Sequence, residues 1–414
     1  MPEHMPIYIG DHAVHEFITF CKKSDYKKYL LVSDDNTYQV LGKSVHDALI
    51  KEGWDVINVV LHPEHLHADS VTISRVFAAY DGLPRMFVSV GSGTITDTTR
   101  LTSHRSQNPF ISLPTAASVD AYTSVNAAVT IGEYKGSIYC QSPVAIFTDI
   151  PTIAASPKWL TASGFGDLTS KFTSTSDWKF TNIIWGSKFE PAIYEKALGA
   201  AQQAAAVADG LITHDPQSLA AMMQGQFDSG FSMADFGNSA PASGGEHHIA
   251  HMWEMMFHWA GREGLYHGNA VGVATIFEAG WYEQFRKLGK KEAEELILHA
   301  HVPSRSEQEK TIHADLPEIA DELIASNPIY MQLSDPEVLD RVKKAILDNW
   351  DTLQAVAAKV PPADQFRTWL KKLGGPTTAA ELEISPEQAQ TAVDHGHYLR
   401  ERFSINNVRK LFGW

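Results

Sequence analysis

From about residue 26 the chain alternates short runs rich in Val, Ile and Leu with longer segments of helical period. YKKYLLVSD, WDVINVVLH and PRMFVSVGSG read as strands; TYQVLGKSVHDALIKEG and SVTISRVFAAYDG between them read as helices. The strand runs are apolar on successive rather than alternate residues, so both faces are to be buried. With a helix between each pair, this predicts a parallel sheet with crossover connections. After SPVAIFTDI the strand signal nearly vanishes. AAQQAAAVADGLITH, DRVKKAILDNWDTLQAVAAKV and EQAQTAVDHGHYLRERF instead carry helical spacing broken at Pro and Gly. The predicted organisation is an α/β domain over residues 1–150 followed by an almost all-helical domain over 151–414, with the polar stretch 303–335 as a surface connection.

Composition narrows the function classes. The 414 residues are 44% hydrophobic and 20% charged, enough material for two packed cores. Thirty-four basic against 49 acidic residues leave a formal charge of −15, which repels polyanions and argues against nucleic-acid or acidic-lipid partners. Cys21 and Cys140, the only cysteines, form neither a disulfide framework nor a metal-ligand spacing, as expected in a reduced compartment. MPEHMPIYIG has no basic segment leading into an apolar one, and no later run reaches membrane-spanning length. The expectation is a cytosolic protein with a small-molecule partner and no membrane insertion.

Two loops suggest a nucleotide. VSVGSGTITDTTR, residues 88–100, leads from a strand through Gly91 and Gly93 into a helix opened by Thr94. Glycines let the backbone turn tightly and approach a ligand, and the N–H groups of a helix start attract an anion such as a pyrophosphate. An ordinary glycine turn is the plainer alternative. Its place after the third strand, with a second polar loop PTAASVDAYTS at 114–124, favours the cradle. Asp34 and Asp35 end the first strand; there a carboxylate can accept ribose hydroxyls and repel a 2′-phosphate, which favours NAD over NADP. Such an Asp serves equally often as a helix N-cap.

SGGEHHIAHMWEMM, residues 243–256, places His247 and His251 one turn apart on one helix face, with His248 pointing elsewhere. His267 follows in HGNAVGV, and Asp167 in ASGFGDLTSKF stands after a glycine-rich turn, where a helix is expected to start. One Asp and two His make a three-ligand divalent site with an open position. Singly, each has a structural reading: an N-cap for Asp167, hydrogen-bonded imidazoles for the histidines.

Taken in order, GSGTITDTTR, PTAASVDAYTS, SGFGDLTSKFTSTSDWK, PASGGEHHIAHMWEM and HGNAVGVAT resemble the NAD(P)-dependent sn-glycerol-1-phosphate dehydrogenases, with the closest likeness to their bacterial branch. Iron-containing alcohol dehydrogenases, glycerol dehydrogenase and 3-dehydroquinate synthase belong to the same superfamily. The resemblance implies a Rossmann-like N-terminal domain, a helical metal- and substrate-binding domain, and an active site in the cleft between them. It implies that NAD(H) and one divalent metal, zinc, nickel or iron, interconvert a secondary alcohol and a ketone by hydride transfer with the alcohol oxygen on the metal.

Carried over by position, Asp167, His247 and His267 are the metal ligands, and Asp167 also borders the substrate. His251 becomes a substrate-facing proton relay and Asp120 a partner of a substrate hydroxyl. Gly93, Thr94, Ile95, Thr96 and Asp97 form the pyrophosphate loop, with Thr115, Ala116, Ala117, Ser118 and Ser124 as further nucleotide contacts; read from the residues alone, as above, Gly91 joins the cradle and Asp35 stands at the ribose. Relatives are often dimers or larger. Ala240 and Ala270 stand where the family pattern carries basic residues, which leaves Lys135 and Lys171 as candidate phosphate partners. The alternative reading is a sugar-phosphate cyclase of the dehydroquinate synthase type. PTAASVDAYTSVNAAV lacks the glycine-lysine pair and arginine-rich clamp of those enzymes, which ranks that reading second.

Overall fold

In the computed structural model, which describes residues 5–62 and 66–414, the apolar runs pair as β1 (Ile7–Gly10), β2 (Lys28–Asp34), β3 (Asp55–Leu61), β4 (Met86–Gly91), β5 (Phe110–Pro114) and β8 (Ala145–Asp149), while β6 (Asn126–Ile131) and β7 (Tyr134–Tyr139) form a separate hairpin. The first four residues of MPEHMPIYIG, read above as carrying no targeting segment, lie outside the described residues. The six-stranded sheet runs β1-β8-β5-β4-β2-β3 with every pair parallel. Every residue of β4 and β5 is buried. Successive β2 residues enter opposite cores: Tyr29 and Leu31 join Phe17, Val45 and Leu49, while Leu30 and Val32 join Val59, Val76 and Phe87. That two-sided burial is why these strands read as continuous apolar runs.

The strand order carries functional information. From β2 the chain moves outward to β3, returns to β4 on the other side of β2, and continues through β5 to β8. The direction of winding therefore reverses between β2 and β4, and the loops leaving the carboxyl ends of those two strands flank the point where doubly wound sheets bind ligands. Asp35 leaves β2, and Gly91 ends β4. The β6–β7 hairpin, absent from the sequence reading, turns within two residues, with Gly132 at φ +60°.

Two compact units result, Met1–Leu168 with Gln202–Ser239, and Thr169–Ala201 with Ala240–Trp414. The first holds all eight strands. In the second, every element is a helix. Gly245–Trp259 packs along His267–Lys287, and the latter buries Tyr282 and Phe285 among Phe180, Trp350 and Phe412.

The stretch 303–335 is not the surface connection expected. It folds as helices Arg305–Asp315, Ala320–Ser326 and Ile329–Gln332, with Ile312, Leu316, Ile319 and Leu323 all buried. Ile312 and Leu323 lie in two successive helices and Leu316 and Ile319 at the break between them, an inward set that the surrounding polar residues mask. Among the described residues no helix is long and apolar enough to cross a membrane.

Candidate active site

The glycine loop has the features of an anion cradle. The helix Gly93–Arg105 starts behind Ser92, whose side chain makes no cap, and its first intrahelical bond is Thr96 N–H to Ser92 O at 3.0 Å. The amides of Gly93, Thr94 and Ile95 precede that bond and present the positive end of the helix. Gly91 is required by close packing: a Cβ there would lie 2.6 Å from Ile95 Cβ. Thr115 N–H donates to Gly91 O (3.3 Å), tying this loop to the one after β5.

That second loop is held from within. Tyr122 O–H donates to Ala116 O (2.6 Å) and lies 3.5 Å from Ser118 Oγ, while Asn126 N–H donates to Ser124 Oγ at 3.0 Å. Thr115, Ala116, Ala117, Ser118 and Ser124 are all buried.

Arg100, unassigned in the sequence reading, ties the two loops together. Its guanidinium is fully buried and donates to Asp97 Oδ1 (2.5 Å), Asn126 O (2.9 Å), Ala121 O (2.6 Å) and Tyr122 O (2.9 Å). Asp97 Oδ2 accepts from Ala128 N–H at 3.2 Å, so its carboxylate braces the β6 hairpin. On the other flank, Asp34 caps its helix in a reciprocal box with Thr37, as the N-cap reading allowed. Asp35 is instead half exposed and meets His62 Nδ1 at 3.0 Å.

Asp167 is not at a helix start. SGFGD lies inside the helix Lys158–Thr169, and Asp167 occupies its last turn, fully buried. One of the glycines that suggested a turn serves packing: a Cβ on Gly164 would collide with Ala117 O, so only glycine there lets this helix approach the loop after β5. Asp120 N–H donates to Asp167 Oδ2 (3.0 Å), and Ser229 O–H donates to Asp120 Oδ2 at 2.5 Å. The loop that carries Asp120 thereby orients Asp167.

The three histidine rings gather as a triangle. Ring centroids are 5.9 Å apart for His247 and His251, and 5.3 Å for His267 to each of them. Ligand atoms of Asp167, His247 and His267 lie within 4.8 Å of one another. Two glutamates missed in the sequence reading complete the arrangement. Glu246 Oε1 accepts from His247 Nδ1–H at 2.8 Å, and Glu254 Oε1 from His267 Nδ1–H at 2.8 Å. A carboxylate behind each imidazole fixes the tautomer, leaves Nε2 as the ligating atom and raises its basicity.

The donor set, one carboxylate and two oriented imidazoles, suits zinc, nickel or ferrous iron. The missed signal was spacing: Glu246 abuts His247, and Glu254 lies on the His247 face, seven residues on. His248 turns away into the interior, where burial holds its pKa well below the ordinary imidazole value.

Of the phosphate candidates, Lys135 lies half-buried in β7. Lys171 is fully buried, with Nζ 3.2 Å from Ser170 Oγ, and so is not a surface lysine. Ala270 is buried in an apolar helix.

The iron-containing alcohol dehydrogenase family model covers residues 8–157. A glycerol-1-phosphate dehydrogenase (NAD(P)+) of Geobacillus thermodenitrificans is 28% identical over 96% of this chain and 90% of its own. The Pyrococcus furiosus protein of the same name is 30% identical over 66% of this chain and 77% of its own. The crystal structure of NADH-dependent butanol dehydrogenase A from Thermotoga maritima shares the fold, with a TM-score of 0.59 at 16% identity over 96% of this chain and 90% of that one. The chain belongs to the glycerol-1-phosphate dehydrogenase family of iron-containing alcohol dehydrogenase type, and it is an NAD- and metal-dependent alcohol oxidoreductase.

Proposed function

We propose that this oxidoreductase interconverts sn-glycerol-1-phosphate and dihydroxyacetone phosphate. The observation that carries the reading is the cluster of Asp167, His247 and His267 with a carboxylate behind each imidazole, in a chain similar over 96% of its length to a glycerol-1-phosphate dehydrogenase. These three residues hold the divalent metal, which when bound supplies Lewis-acid polarisation of the reacting oxygen. NAD(H) supplies the hydride acceptor or donor. Overall, secondary alcohol and NAD+ become ketone, NADH and one proton.

The remaining steps belong to the chain. The amides of Gly93, Thr94 and Ile95, with Gly91 and Thr96, take the pyrophosphate; Asp97 keeps that loop in place through Arg100. Asp35 accepts the ribose hydroxyls, and Thr115, Ala116, Ala117, Ser118 and Ser124 line the nucleotide. His251 takes the alcohol proton, a task suited to an imidazole, which can both accept and donate. Asp120, oriented by Ser229, accepts a substrate hydroxyl. Lys171 faces the phosphate: a buried ammonium is stabilised opposite an anion, and a dianion wants charge-assisted donors. The protein is then a cytosolic homo-oligomer, consistent with two buried free cysteines.

The test mixes the metal-loaded protein, NADH and dihydroxyacetone phosphate. Net loss of NADH absorbance with formation of the sn-1 phosphate supports the reading. Turnover of a sugar phosphate without net NADH loss would instead point to the cyclase. Asp167→Asn and His267→Ala are expected to abolish both metal content and turnover while leaving circular dichroism unchanged.

A further inference from the structure

Behind the histidines lies a second cluster, which the reaction as described does not use. Asp177, Glu246 and Glu278 are each fully buried, and their carboxylate oxygens lie within 4.8 Å of one another. Two of the three accept several hydrogen bonds. Asp177 accepts from Tyr282 O–H (2.6 Å), Ile405 N–H (2.8 Å) and Gly245 N–H (2.8 Å). Glu246 accepts from Gly244 N–H (2.7 Å), His247 Nδ1–H (2.8 Å) and the Thr173 hydroxyl (2.9 Å). Both thus sit at the amino end of the helix Gly245–Trp259, where the helix dipole favours negative charge.

Glu278 has less support: among the described residues neither of its oxygens has a hydrogen-bond partner within 3.5 Å, and only the more distant Glu246 backbone N–H favours its ionised form. Its place is nonetheless built in, since a Cβ on Gly245 would collide with its carboxyl group, and one on Gly244 would stand 2.7 Å from Asp177 Oδ2 and 2.8 Å from Glu246 Oε2. The Gly-Gly pair is what lets three carboxylates close around this helix start.

A buried carboxylate with no close hydrogen-bond partner, crowded by Glu246 and by Asp177, whose own carboxyl is pushed up to about 7 by burial and by Glu246, does not itself stay ionised. A carboxylic acid in the same place gains a donor of its own and has an acceptor beside it. Burial, then the charges of Asp177 and Glu246, push Glu278 well above the ordinary carboxylate range.

We propose that Glu278 is a neutral carboxylic acid whose O–H donates to Glu246, and that it acts as a positioning residue, locking Glu246 behind His247 and so presenting His247 Nε2 to the metal. The proposal rests on the metal reading above. Outer-shell partners of this kind are worth about 10–100-fold in metal affinity.

Glu278→Gln keeps a neutral donor, whereas Glu278→Leu removes it at similar volume. Competition titration with zinc, and the visible spectrum of the cobalt-loaded protein, are expected to place Glu278→Gln within about threefold of wild type and Glu278→Leu at least about tenfold weaker, with a changed cobalt spectrum. Equal losses in both variants, or no loss in either, overturn the proposal; an equal loss would mean that an ionised Glu278 is required.

Infrared spectra of the metal-free protein at neutral pH test the same claim independently. The carbonyl stretch of a protonated buried carboxyl is expected in wild type and lost in Glu278→Gln, and its absence from wild type refutes the neutral acid even if the leucine variant does not fold. A wild-type protein that shows this band but takes up no metal would instead remove the metal reading, and with it the positioning role.

Discussion

Arg100→Met tests how the nucleotide loops are held. The substitution preserves length and apolar stem but removes a guanidinium that makes four hydrogen bonds, one to Asp97 and three to the carbonyls of Ala121, Tyr122 and Asn126. Arg100 is 0% exposed and the Asp97 side chain 14%, so this is a buried pair. Removing one partner of such a pair costs about 3–5 kcal/mol, because the remaining charge stays out of water. Each stranded carbonyl adds to the loss, though not additively.

The expected loss is therefore about 4 kcal/mol for the unit that holds the sheet. NADH should also bind at least about tenfold more weakly, since each 1.4 kcal/mol is a factor of ten and the loop 121–126 has lost its tether. Because the chain has two units, urea unfolding should be followed with a probe of the first transition rather than fitted as one step. In a double-mutant cycle, Asp97→Asn with Arg100→Met should cost less than the sum of the singles, with a coupling of about 1–3 kcal/mol. Arg100→Lys should fall between, because one ammonium cannot span the four acceptors. A loss under about 1 kcal/mol for Arg100→Met, or additive singles, would refute the assignment of Arg100 as the tie between the loops.

Three further outcomes are expected. Asp35→Ala should raise the NADP/NAD preference about tenfold, since a unit charge facing a dianion about 6 Å away in water costs about 1.4 kcal/mol; an unchanged ratio of kcat/KM values for the two cofactors refutes the ribose assignment. Lys171→Met should raise KM for the phosphorylated substrate while leaving unphosphorylated polyols unaffected, and equal effects on both would refute a phosphate contact.

The third concerns acid stability. His397 is buried against Tyr330 and Tyr398, and burial, reinforced by the charges of Lys410, His395, Arg409 and His248, holds its pKa well below 6.5. The unfolded chain therefore binds the proton first, so the stabilisation is present above about pH 6.5 and is lost as pH falls. The loss is about 1.4 kcal/mol between about pH 7.5 and 5.5. His397→Phe should flatten denaturant-measured stability over that window by this amount, and an unchanged slope refutes the argument.

Period and punctuation carried much of the architecture. Unbroken Val, Ile and Leu in YKKYLLVSD and PRMFVSVG require burial on both faces, and the helix-length connections require parallel pairing, so the sheet and its glycine loop were legible. The helical remainder was legible for the same reason. His247 and His251 shared a face by spacing alone, His267 and Asp167 stood out beside glycines as further ligand candidates, and the resemblance chose among them.

Other features depend on contacts between residues distant in the chain. Gly164 and Gly166 looked like a turn before a helix, yet they lie within one; the neighbour that demands a missing Cβ at Gly164 is Ala117, 47 residues away. Ile312, Leu316, Ile319 and Leu323 pack inward although their neighbours are polar. Gln202–Ser239 reads as helix in either setting, and only its packing assigns it to the unit with the sheet. Arg100, Glu246, Glu254 and Glu278 are charged residues on helices, which the sequence pattern assigns by default to solvent; burial became tolerable only where folding brought each a partner or a proton. Local period sets which residues face inward, but the cost of desolvating a charge depends on what faces it, and that is a property of the assembled chain.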